Sequence, residues 1–107
     1  MKRYGSIIKV VPEKLEEYKQ LHAAAWPAVL EQIRLSNIRN YSIFYKDGML
    51  FSYFEYIGIH YEKDMAAMAA DPVTQEWWKV CIPCQMPVET RKEGEWWASM
   101  EEVFYTN

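Results

Sequence analysis

A phenol, an imidazole and an indole stand four residues apart in Tyr18, His22 and Trp26. On a helix, side chains at i, i+4 and i+8 lie one above another. The three therefore share a stripe, which Leu15, Val29 and Ile33 continue in both directions. His22 sits where the helical period calls for an aliphatic residue. Imidazole titrates near neutrality, so at that place it can take a proton from a bound hydroxyl and return it. A phenol one turn away can hydrogen-bond the same ligand. The pattern is also that of a core histidine whose hydrogen bonds are met by its neighbours.

Cys81-Ile82-Pro83-Cys84 has the C-x-x-C spacing of redox and metal sites. A redox pair opens a helix after a strand, whereas this one closes a helix, and a zinc site needs about four ligands where no second cysteine pair exists. Packing thiols are the expectation, with no metal and no organic cofactor. His60 reads as a solvated helix start. The acidic pairs Glu16-Glu17 and Glu101-Glu102 read as surface groups on their outer members.

The elements that must hold these groups follow from local signals. A β-branched run predicts a strand over 3–11, ended by Pro12, which opens a helix whose first turn carries Glu13, Glu16 and Glu17. The helix runs to about Ala25, and Pro27 must break or kink it before it resumes through Val29 to Ile33. Strands over 39–45 and 49–56 flank Asp47-Gly48, a two-residue hairpin signal. In that register Tyr41, Ile43, Tyr45, Leu50, Ser52 and Phe54 share one face, while Asn40, Ser42, Phe44, Phe51, Tyr53 and Glu55 share the other. Neither face is cleanly polar, so helices should cover one and something else, such as a second subunit, the other. A helix over 60–70, a restart at Asp71-Pro72 with Asp71 as N-cap, and a last strand near 100–105 complete the order β-α-β-β-α-β. That order is a ferredoxin-like α+β fold, of the kind that forms a dimeric α+β barrel.

Composition bounds the rest. At 107 residues, half of them hydrophobic, the chain should be one domain spanning 1–107. A net charge of −3 with acids and bases interspersed gives no footprint for nucleic acid. The charged start and the lack of a long apolar run argue against membrane insertion and for a cytoplasmic protein, as does a count of two cysteines. The aromatic load, concentrated in Trp77-Trp78 and Trp96-Trp97, suits a core, an interface or a pocket wall.

Four pieces in order, Glu17-Tyr18 with His22 and Trp26-Pro27, then Asn40-Tyr41, then Gln75-Glu76-Trp77-Trp78-Lys79, then Glu102-Val103-Phe104-Tyr105, resemble the L-rhamnose mutarotase family over nearly the whole chain. The resemblance implies interconversion of the α and β anomers of a 6-deoxy sugar by a cofactor-free homodimer. It implies that His22 is the proton donor and that Tyr18, Tyr41, Trp77 and Trp78 hold the sugar. Two places depart from the family pattern: Ala23-Ala24-Ala25 lacks a proline expected soon after the histidine, and the Cys81–Cys84 segment is not a family feature. The other reading is a small-ligand binding module, or an oxygenase-like relative, that uses the same aromatic pocket.

Overall fold

A computed structural model describes all residues, Met1–Asn107. The β-branched run forms β1 (Lys2–Val10), the strand on which the sheet is built. β1 pairs antiparallel with β3 (Met49–Tyr56), which pairs with β2 (Ile38–Lys46). On its other edge β1 meets the short strands β4 (Gln85–Met86) and β5 (Ala98–Met100). Cross-strand partners Tyr4 and Phe54, Ser6 and Ser52, and Ile8 and Leu50 share one face. On it Ile8, Val10 and Leu50 bury with Tyr18 and Cys84. The helices gather on that face.

Each helical stretch is two helices, divided as expected at Pro27 and at Asp71-Pro72. A 3-10 turn at Pro12–Lys14 leads into α1 (Leu15–Ala23), and α2 (Pro27–Leu35) starts afresh with Pro27 in its first turn. Trp26 takes an extended conformation between them, at φ −67° and ψ 131°. Proline lacks the N–H an interior helical position must donate, but in the first turn that donor is not needed. The same device separates α3 (Tyr61–Ala70) from α4 (Pro72–Cys81), where the Asp71 side chain caps by accepting from the Thr74 amide at 2.9 Å. α3 is tied to the sheet through Asp64, whose carboxylate accepts from the Tyr56 hydroxyl and, at 2.9 Å, from Asn37 Nδ2. No helix is long and apolar enough to cross a membrane.

The hairpin turns at Asp47-Gly48 as expected, with both residues at positive φ, 50° and 81°. Its register holds from Lys46 opposite Met49 back to Ser42 opposite Tyr53, and then slips. Arg39, not Asn40, lies opposite Glu55. Asn40, at φ 50°, is the extra residue of a β-bulge, and its side chain donates to Glu55 Oε1 at 2.8 Å. The slip reverses the alternation: Ile38 pairs with Tyr56 and buries to 3 % exposure, where unbroken register would have turned it outward.

The last strand is shorter and earlier than its β-forming residues suggest. It ends at Met100 opposite Gly5, and β1 offers only the residues down to Lys2 beyond that point. A strand reaching Tyr105 would outrun its partner. Side chains hold the tail instead: Arg3 donates to both Glu102 oxygens at 2.8 and 3.1 Å and lies 3.3 Å from the centre of the Tyr105 ring.

Left-handed backbone costs an L-residue with a Cβ about 1–2 kcal/mol, less for asparagine and nothing for glycine. Asn40→Ala should therefore lower stability by about 1 kcal/mol, while Asn40→Gly stays near the parent. Urea midpoints at constant m check this, and an alanine variant as stable as the parent would show that the bulge does not require that conformation.

Candidate active site

The site is built where α1 ends. His22 lies in the last turn of α1, and its Nδ1 stands 2.9 Å from the backbone carbonyl oxygen of Tyr18. A carbonyl only accepts, so Nδ1 carries the proton and donates. In the neutral ring Nε2 is then the bare, basic nitrogen. Burial holds the imidazole below its ordinary pKa of 6.5, partly offset by that backbone bond. At neutral pH His22 is therefore an uncharged base with a fixed tautomer.

Aromatic rings surround it. Tyr18 stacks on the imidazole with centroids 4.2 Å apart, and Trp77 meets it edge-on at 5.2 Å. Trp26 meets the same Trp77 at 5.2 Å and 70°. The stripe expected of one continuous helix is thus assembled from two: the break at Ala24–Trp26 takes Trp26 off the line of α1, and Trp77 of α4 joins it to His22. Trp78 packs partly buried against the same cluster, beside Val29 and Cys81.

Tyr41 makes no ring contact with this group, although its phenol is near enough to influence that of Tyr18. Its ring tilts against Phe54 at 5.5 Å and is 42 % exposed. Its hydroxyl end is crowded by the protein, and burial, with Cys81 and Tyr61 nearby, pushes the phenol up to about 12. It lines a cavity of about 1100 Å³ together with Ser6, Ser52, Phe54, Met68 and Trp97. Tyr18, His22, Trp77 and Trp78 are not on that wall. Of the five residues singled out, His22 touches both Tyr18 and Trp77, Trp78 packs against the cluster that holds Trp77, and Tyr41 lines the neighbouring cavity.

The spacing argument missed Gln85 and Trp96. The Gln85 amide donates to the Tyr18 hydroxyl oxygen at 3.3 Å, and its carbonyl accepts from the Trp96 indole at 2.8 Å. Only the general rule that a buried phenol oxygen needs a partner pointed toward such a residue. Burial pushes Tyr18 above the ordinary phenol range, with the Gln85 bond opposing and Tyr41, Cys81 and Cys84 adding to the shift.

Both cysteines are buried and free. Burial raises Cys81 to about 12 and pushes Cys84 up as well, so neither is a ready thiolate. Cys84 sits in a 3-10 turn (Ile82–Cys84) after α4, and its Sγ contacts Glu17 Oε2 at 3.6 Å and the Val80 carbonyl at 3.7 Å. The pair seats that turn against α1. Glu102 is engaged by Arg3 at the surface, away from His22.

A family model described as L-rhamnose mutarotase matches residues 3–106. The chain is 38 % identical over 108 residues to the L-rhamnose mutarotase of Bacillus subtilis, covering 98 % of each chain. It is 37 % identical over 83 residues to that of Oceanobacillus iheyensis, covering 78 % of this chain and 79 % of the relative. The fold superposes on L-rhamnose mutarotase from Formosa agariphila with a TM-score of 0.78 at 21 % identity, covering all of both chains. It also superposes on tetracenomycin F2 cyclase from Streptomyces glaucescens at 0.71 and 16 % identity, covering 99 % and 96 %, a likeness of fold alone. These likenesses place the α+β fold and the sequence in one group, and the chain belongs to the L-rhamnose mutarotase family.

Proposed function

We propose that this protein is an L-rhamnose mutarotase in which His22 moves the proton and Tyr18, Tyr41, Trp77 and Trp78 hold the sugar. The observation that carries the assignment is the fixed tautomer: Nδ1 donates to the Tyr18 carbonyl at 2.9 Å, which leaves Nε2 as a neutral base inside an aromatic box. Family membership supports the substrate.

Ring opening takes the proton from the anomeric hydroxyl O1, breaks the bond from C1 to the ring oxygen O5, and delivers a proton to O5. The product is the open-chain aldehyde. Half a turn about the C1–C2 bond presents the other face, and the steps reverse. O1 and O5 are both bonded to C1, so one imidazole can take the proton from the first and give it to the second. His22 is a proton donor in this scheme, but of the proton it has just accepted. Its backbone bond keeps Nδ1–H in place and so stabilises the transient imidazolium. The indoles of Trp77 and Trp78 suit the C–H face and methyl group of a 6-deoxy ring, and Tyr18 and Tyr41 offer hydroxyls to its oxygens. Positioned acid–base help of this kind is worth about 10²–10⁴-fold.

The assembly is proposed as a homodimer closed across the sheet. The face opposite the helices carries Ile7, Phe44, Phe51, Tyr53 and Met100, with Phe44 66 % exposed. A second copy is the occupant that an apolar sheet face without helices of its own calls for. Two free, buried thiols suit a reducing compartment, and the cytoplasm is the proposed location.

His22→Ala should lose about 10²-fold or more of the acceleration while sugar binding survives, measured by saturation transfer between the anomeric proton signals of L-rhamnose. Trp77→Ala should instead raise KM more than it lowers kcat, because a stacking surface holds ground and transition states alike. The working base is the unprotonated ring, so the rate should fall only as pH drops through a value below 6.5. A rate that climbs as pH falls below that value would mean that the resting imidazolium is the acting form. Light scattering should give a dimer at micromolar concentration that Phe44→Asp dissociates, and a monomeric parent would refute the assembly.

A further inference from the structure

Tyr18 needs its hydroxyl proton pointed at a ligand, and something must prevent that proton from being used within the protein. The Trp96 indole can only donate, so its 2.8 Å bond to Gln85 fixes the carbonyl oxygen of that amide toward Trp96. Turning the amide over would set two donors against each other. The NH2 group therefore faces the Tyr18 hydroxyl, 3.3 Å away, and the phenol oxygen is the acceptor. Gln85 is held on this face by β4, where it pairs with Val10, a residue of the core. Tyr18 itself is 4 % exposed, and no other side chain bonds its hydroxyl.

From this chain of donors we infer that Gln85, oriented by Trp96, is a positioning residue that sets the polarity of Tyr18 and reserves its O–H for a sugar oxygen. The inference rests on the reading of Tyr18 as a sugar-binding group. Burial supports it by keeping the phenol protonated through the neutral range. It also gives the Cys81–Cys84 segment a purpose, since the 3-10 turn that those thiols seat against α1 delivers the chain to Gln85 as its next residue. Nothing in the reaction passes through Gln85. It contributes only direction.

A glutamate at this position tests direction while keeping shape. In Gln85→Glu the ionised carboxylate still accepts from Trp96 but now also accepts from Tyr18, turning the phenol proton inward and away from the sugar. Once protonated, the carboxyl can donate to Tyr18 and restore the original sense. The ratio of variant to parent kcat/KM for L-rhamnose, followed by polarimetry from pH 8 to pH 4.5, removes the titration of His22, which both share. At pH 8 the variant should show KM raised by roughly 3- to 10-fold, the equivalent of one net hydrogen bond. The ratio should climb toward one as pH falls through the glutamate range. Gln85→Met should raise KM similarly at every pH, and Trp96→Phe, which frees the amide to turn, should raise it less.

An active parent with a Gln85→Glu ratio that is flat with pH overturns the positioning role and leaves the mutarotase reading standing. If Gln85→Glu does not fold, an unchanged KM in both Gln85→Met and Trp96→Phe overturns it equally. A parent that accelerates no anomer exchange refutes the mutarotase reading and the inference with it.

Discussion

Proline has no amide hydrogen, and this fold depends on where that lack falls. Pro27 and Pro72 each stand in the first turn of a helix, and each preceding residue is extended: Trp26 at ψ 131° and Asp71 at ψ 121°. Without these breaks α1 with α2, and α3 with α4, would be long rods lying over the sheet. With them α4 comes in against α2, and Val29, Trp77 and Cys81 close into a second core cluster beside the one on the sheet. The aromatic box around His22 lies between the two. Leu21 touches both clusters, and His22 is the next residue.

That placement determines the electrostatics. An imidazole flanked by two aromatic rings loses solvation, which favours its neutral form, while the Tyr18 carbonyl one turn back favours a donor at Nδ1. The competition leaves a base that is uncharged at rest and partnered on one side. Tyr18 is treated in the opposite sense. Its proton is retained by burial, and its oxygen is occupied from outside the helix. In the proposed site one helical turn therefore carries an acceptor and a donor, each oriented by a different neighbour.

The elements were legible in the sequence because each has a local cause. The β-branched run, the Asp47-Gly48 turn, the Asp71 cap and the prolines are all visible within a few residues. What could not be seen has causes at a distance. The bulge at Asn40 depends on which of two registers buries Ile38, a comparison between strands. The end of β5 depends on how far β1 extends, almost the whole chain away. Among the site residues, helical spacing placed Tyr18 and His22 on one face, and Trp77 reached them through the packing of α4. Tyr41 was singled out by resemblance, yet its ring stands with the cavity beyond. Gln85 bears no pattern at all, and Trp96 stood out only as one of a tryptophan pair, because a hydrogen-bond chain has no period.

The bulge also makes β2 a strand of two parities. Counting back from the hairpin, inward positions are odd: Tyr45, Ile43 and Tyr41. Counting on from α2 they are even, beginning with Ile38. Asn40 is where the two counts are reconciled, so Tyr41 and the buried Ile38 both reach the cavity wall although they stand three apart in the chain. That arrangement tolerates substitution better than a change of length. Loss of one residue between Arg39 and Ser42 would leave a strand of single parity, forced to choose between keeping Tyr41 in the cavity and keeping Ile38 in the core. Among relatives of this chain, a gap at that point in an alignment is therefore a rearrangement of the fold, and a gap of the same size in the tail after Met100 is not.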